Sequence, residues 1–371
     1  MKASFDRIIS IVRKEALHII HDPRSLMILF LIPLLQLTMF GYALNLEIQN
    51  IDLAVWDASR GETALRLIQK FQGSPTFTVK NFEQAPVRID SLFLRGSARA
   101  ALLIPPDFEA DYRKNQSTRV QIIIDASDPN AATNIRNYCA GVIAKFNEEY
   151  GLNVAPAFRI QSAIWYNPDM KSTFFFVPGL MALILVMISA LLTSITIVRE
   201  KEMGTMDQLL VSPVRPFDIL LGKVLPYMVL AFAEGLVIFL VALVLFDVPF
   251  KGNLEAFLAL TLLYVITALS LGLMISTIAR SQQVAMMIAL TATLLPTIML
   301  SGFIFPISSM PRPLQYISYI IPAKYYLVIV RGIMLKGNKM AQLQTQILFL
   351  VGMSSLLLTV AWRKFKRTLE E

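Results

Sequence analysis

Apolar and polar positions divide the chain into blocks of different period. In residues 1–25 the apolar positions Phe5, Ile8, Ile9, Val12, Ala16, Leu17 and Ile20 share one broad helix face, with Arg7, Arg13, Lys14 and Glu15 largely off it. A basic amphipathic helix of this kind is expected to rest in a membrane interface, cations toward anionic lipid; the alternative is a helix packed on protein. The next block, Leu26–Leu44, is an apolar run. Its 19 residues rise about 28 Å as a helix, close to the thickness of one hydrocarbon core. Five further runs, Phe174–Val198, Ile219–Phe246, Leu254–Ala279, Val284–Phe305 and Ile347–Trp362, predict five more spans. Pro33 and Pro296 are expected kinks. Ala268, Gly272 and Ser276 recur every fourth residue, a small-residue face that permits close helix contact.

Between the first two runs the pattern changes. Over residues 45–172 charges return and the apolar residues fall into short segments. Ile51–Val55, Phe77–Val79, Ala100–Ile104, Val120–Asp125 and Phe158–Tyr166 read as strands, and Thr63–Phe71, Ile89–Leu94, Phe108–Lys114 and Asn134–Tyr150 as helices. Strands alternating with helices predict a compact α/β domain of ordinary size. Residues 306–343 are apolar but broken by Pro306, Pro311, Pro313 and Pro322, and carry Tyr316, Tyr319, Tyr325 and Tyr326. They predict an interfacial or re-entrant element with an aromatic girdle. The fold class is therefore an α-helical polytopic membrane protein of six transmembrane helices with an inserted α/β domain.

Composition agrees. Of 371 residues 55% are hydrophobic, and mean hydropathy is +0.58, too apolar for an average soluble domain. The single cysteine, Cys139, excludes an intrachain disulfide. The first run is expected to stay as an anchor, because it is too long for a signal peptide and no A-x-A-like site follows before Asn45. The net charge of +8 matters through its distribution. Six spans put both termini on one side. The basic N-terminal segment, Arg199, Lys201, Arg215, Lys223, Arg280 and the Arg363–Arg367 tail mark that side as cytoplasmic by the positive-inside rule. The α/β domain is then extracytoplasmic, on a cell inner membrane. Lys324, Arg331, Lys336 and Lys339 fall on the outer side and run against the rule.

One polar stretch between spans, Val198–Lys223, has the most internal organisation. Arg199, Glu200, Lys201 and Glu202 crowd its start. Met203, Met206, Leu209 and Leu210 follow at helical spacing, opposite Asp207 and Gln208, and Ser212-Pro213 and Arg215-Pro216 end it. Its charges would each cost several kcal/mol in hydrocarbon, so it is expected to lie flat on one membrane face, 199–217, as a short helix on which another protein can press. An ordinary interhelical loop is the alternative. The stretch resembles the loop after the second span in permeases of the ABC-2 type exporter family. The matching residues are Arg199, Glu200, Glu202, Gly204, Thr205, Leu209, Leu210, Pro213, Pro216, Gly222 and Lys223, in order and spacing. Ser301–Pro306 and Arg331–Gly337 resemble the family's re-entrant region between the last two spans.

The resemblance implies that 199–217 is a coupling helix contacting an ABC ATPase subunit. It implies two permeases, two copies or one with a paralogous sister, docked on two ATPases. It also implies a periplasmic adaptor as a candidate partner of the outer domain. The chain has no G-x-x-x-x-G-K-[ST] loop, and Gly222-Lys223 lacks the upstream glycine, so it cannot bind ATP in the P-loop manner. ATP and Mg would sit on the partner; no cofactor, metal or nucleic acid is expected on this chain. Glu234, near bilayer depth in the third span, is a candidate functional acid, or else a structural partner for a neighbouring hydroxyl or amide. His18 and His21 lack a third ligand and read as interfacial.

The reading is an export permease for a small amphipathic, drug-like or lipid-like molecule. Two alternatives remain at this level. One is a non-transporting protein that passes ATPase motion to the outer domain. The other is an ion-coupled carrier, which would need more intramembrane acids than Glu234.

Overall fold

The computed structural model describes residues 2–43, 50–81, 92–93, 96–114, 119–127, 129–150, 166–167, 171–204 and 216–370. The chain separates into two units, 1–45 with 164–371, and 46–163. The first unit opens with α1 (Lys2–Ile20) and α2 (Pro23–Ala43), the latter with proline at its first helical position, where no amide hydrogen is needed.

The unit 46–163 holds a four-stranded sheet of order β2-β1-β3-β4, with β1 Ile51–Asp57, β2 Phe77–Asn81, β3 Ala100–Ile104 and β4 Gln121–Ile124. β1 runs parallel to β2 and β3, and β4 antiparallel to β3. Parallel neighbours need a crossover, and α3 (Glu62–Gln72) supplies the one from β1 to β2. Side chains alternate across the sheet. Ile51, Leu53 and Val55 join Leu102 and Ile104 in a core with Leu67 and Phe71 of α3. Ala54 and Ala101 face the other way, with Ala98. α4 (Phe108–Arg113) adds Phe108 to the first core, and α5 (Pro129–Tyr150) adds Ile135, Cys139 and Phe146. Burial pushes the Cys139 thiol up to about 11. The expected strand at 158–166 lies outside the described residues except Tyr166, and of the helix expected at 89–94 only 92–93 are described.

In the other unit each remaining apolar run becomes one helix: α6 (Thr173–Glu202), α7 (Pro216–Val244), α8 (Leu254–Ile278) and α9 (Gln282–Leu300). After the 306–343 segment comes α12 (Gln344–Glu370). Among the described residues six helices are long and apolar enough to cross a membrane. α6 is apolar on every side, the mark of an enclosed helix: 83% of its most apolar stretch is buried, against 17% for α2 and for the last span. Lipid tails are as apolar as leucine, so close approach of small residues has to hold such helices together. The stripe Ala268, Gly272, Ser276 is buried on α8, and a Cβ on Gly272 would lie 2.4 Å from the Ala190 carbonyl oxygen of α6.

Segment 306–343 contains α10 (Arg312–Ser318) and α11 (Pro322–Arg331), the latter continued to Lys336 by a π turn. The two parts bend by 79° at a break between Ser318 and Pro322. The aromatic girdle needs correction. Tyr316 and Tyr319 are exposed, but Tyr325 and Tyr326 are buried. The Tyr326 ring stacks on Tyr264 at 4.0 Å. Its hydroxyl lies 2.9 Å from that of Thr261, and the Tyr264 hydroxyl donates to the Ala182 carbonyl at 2.8 Å. A buried phenol is stable when its hydroxyl finds such partners.

Arg331, which ran against the charge rule, lies over the Phe175 ring at 3.7 Å. Its guanidinium donates to the carbonyls of Phe175, Gly302 and Phe303 at 3.2–3.3 Å. It satisfies carbonyls in the first turn of α6 and just past the end of α9.

Candidate functional site

Pattern alone starts a new surface helix at Arg199. The structure corrects this: Arg199, Glu200, Lys201 and Glu202 form the last turn of α6. The Met203 amide donates to the Arg199 carbonyl at 2.9 Å, and Gly204 follows with φ +69°. A left-handed residue after a helix end is the position where glycine avoids a Cβ clash, so Gly204 ends the enclosed helix. Thr205, Leu209, Leu210 and Pro213 lie outside the described residues, as does the expected lever at 205–215. α7 then begins at Pro216.

Successive residues of a helix point about 100° apart, so one terminal turn of a central helix can reach several neighbours. Glu200 Oε1 accepts from Lys223 Nζ of α7 at 2.5 Å, and the same ammonium donates to Glu15 Oε1 of α1 at 2.9 Å. Lys201 Nζ donates to the Ser276 carbonyl in the last turn of α8 at 3.0 Å. Glu202 Oε2 accepts from the Gln282 amide at 3.2 Å and its side-chain nitrogen at 2.8 Å, at the first turn of α9. The signs match the helix ends: a cation where carbonyls are exposed, an anion where amides are. Three consecutive residues thus tie the end of α6 to α1, α7, α8 and α9.

Gly222 and Lys223 act as a pair. A Cβ on Gly222 would come within 2.7 Å of Ile11, so the glycine lets α1 lie against α7. Lys223 and Glu15 are both nearly inaccessible, with side chains 4% and 9% exposed. The interfacial reading of α1 therefore describes only part of it. One face packs on α7, while Ile9, Leu17 and Ile20 remain exposed. Pattern reasoning placed Glu15 off the apolar face and missed its role, because its partner is 208 positions away. Ser276 and Gln282 were missed for the same reason.

Glu234 sits apart from this cluster. It is 1% exposed in α7, and neither carboxylate oxygen has a hydrogen-bond partner among the described residues. The structural-partner reading of this acid therefore finds no partner.

Residues 23–363 match the model of a family described as ABC-2 family transporter protein. The chain belongs to the ABC-2 transporter family. Relatives of this ABC-2 chain include "Probable multidrug ABC transporter permease YbhS" of Escherichia coli, 35% identical over 99% of this chain and 98% of its own. "Probable multidrug ABC transporter permease YbhR" of the same organism is 30% identical over 90% of each chain. "Inner membrane transport permease YhhJ" is 28% identical over 85% of each. The ABC-2 chain is accordingly a membrane subunit of an ABC transporter, a class of subunit without an ATPase site of its own.

Proposed function

We propose that this chain is the permease half of an ATP-driven exporter, working with separate ABC ATPase subunits and a second permease, a copy or a paralogous sister. It sits in the inner membrane with both termini cytoplasmic. The α/β unit faces outward, where it would receive cargo or dock a periplasmic adaptor. The cargo is a small amphipathic molecule, drug-like or lipid-like; multidrug wording in the names of YbhS and YbhR supports this class.

The observation that carries the reading is the turn at Glu200–Glu202, bonded to α1, α7, α8 and α9 at the end of the enclosed helix. A push on the segment after Gly204 enters here and is passed to those helices together. Arg199, Glu200, Glu202 and Gly204 transmit the push, and Thr205, Leu209, Leu210 and Pro213 receive it from the ATPase.

The test is reconstitution of the chain with its ATPase in vesicles, measuring hydrolysis and export of a fluorescent amphiphile. In Glu202→Gln, hydrolysis should persist while export falls by about tenfold, the scale of a typical coupling energy. Equal export in Glu202→Gln, Gly204→Ala and the parent chain would reject the mechanical role.

A further inference from the structure

A cavity of about 380 Å³ lies between α1, α2, α6 and α7, within the size range of small-molecule sites, about 300–1,000 Å³. We propose that it holds one phospholipid of the surrounding leaflet by its phosphate. The argument rests on membrane residence alone and is independent of the transport reading.

The walls are layered. Arg199 on α6 and Lys223 on α7 belong to the charged layer, Lys223 donating to Glu200 beside Arg199 in the chain. Leu192 on α6 and Leu230 on α7 also line the cavity. Each stands seven residues from its charged counterpart, or about 10 Å along the helix axis. The two helices run in opposite directions through this layer, so both leucines fall on the same side of it. Leu26 and Leu29, near the start of α2, extend the apolar wall. One end therefore suits an ionic headgroup and the other an acyl chain.

Charge selects the headgroup. Glu15 and Glu200 share the Lys223 ammonium. Lys14 reaches Glu200 only at 3.8 Å and keeps a 65% exposed side chain. Lys14, His18 and Arg199 line the cavity together with Asp22, and the fork of Arg199 is suited to two phosphate oxygens. The exposed Ile9, Leu17 and Ile20 of α1 put this layer at the membrane interface, the level of lipid phosphates.

The full-length chain is purified in detergent, washed free of bulk lipid, and examined by native mass spectrometry and lipid extraction. One phospholipid should remain per chain. The double variant Lys14→Gln with Arg199→Gln should lower retention by about a hundredfold or more, the loss of two charge-assisted contacts. Leu230→Trp, which fills the apolar end, should also displace lipid, and thermal melting shows which variants remain folded. Parent protein that is folded but lipid-free overturns the proposal. So does unchanged retention in folded variants. Inorganic phosphate that stabilises as well as phosphatidylglycerol would make this a free-phosphate site, and displacement of lipid by tetraphenylphosphonium would make it a cation site; either result overturns the lipid assignment.

Discussion

Lys223 shows how unequal the charges of this protein are. Its ammonium is enclosed with two carboxylates, so Lys223→Met takes from the buried Glu15 the cation it pairs with and leaves Glu200 the Lys14 ammonium at 3.8 Å, a loss of about 3–5 kcal/mol for a broken buried ion pair. The exposed pair Arg66–Glu62 should contribute under about 0.5 kcal/mol when Arg66→Ala is made. Thermal melting of the two variants separates the cases. The Lys70–Glu149 pair of the α/β unit is a pH reporter. The hydrogen bond between them holds Glu149 below its ordinary value of 4.5 and Lys70 above its ordinary 10.5. Glu149's contribution is therefore full above about pH 4.5 and lost as pH falls through its lowered value. That of Lys70 is full below about pH 10.5 and lost as pH rises through its raised value. Melting of residues 50–165 expressed alone should lose this dependence at both ends in Lys70→Met with Glu149→Gln. Residue types and spacing around Arg199–Lys223 were legible in the sequence. The partners Glu15, Ser276 and Gln282 were not, because each contact closes over a long stretch of chain and leaves no local period.

Spans and strands were legible because their periods are local. Leu254–Ala279 reads as a span and the structure has Leu254–Ile278; Ala100–Ile104 reads as a strand and is one. What failed was the boundary at Arg199. The apolar run ends at Val198, but the helix continues through Glu202, with Glu200 held by Lys223 and Lys201 and Glu202 bonded to the ends of α8 and α9. Helix contact gives a prediction at this scale. Gly272→Val would force a side chain into the Ala190 backbone, where neither helix can yield. Overpacking costs typically about 1–3 kcal/mol, and a backbone neighbour puts this variant at the upper end. The yield of folded protein after detergent extraction should fall sharply. Ala268→Gly, on the same stripe, removes only a methyl and should extract far better.

For the molecule as a whole, the sequence showed six runs long and apolar enough to cross a membrane, and the structure has six such helices among the described residues. The sequence did not show that α6 is the enclosed helix: all six runs are apolar, and only their neighbours distinguish them. Sidedness remains the decisive property of the proposed mechanism. A cysteine introduced at Glu202 or Met203 should be modified by a membrane-impermeant maleimide only in inverted vesicles, and one at Arg66 only in intact spheroplasts. The opposite pattern would place the ATPase-facing segment on the wrong side.

Cys139 makes that mapping practical. It is the chain's only cysteine, shut among Ile135, Phe146 and the sheet, with its thiol protonated well beyond neutral pH. Thiolate is the reacting species, so the unaltered chain should give no signal with water-borne reagents until it is denatured. The protein thus comes with its own blank: single engineered labels can be scanned along the sequence without first removing a native one, and any signal from the unaltered chain reports that the α/β unit has opened.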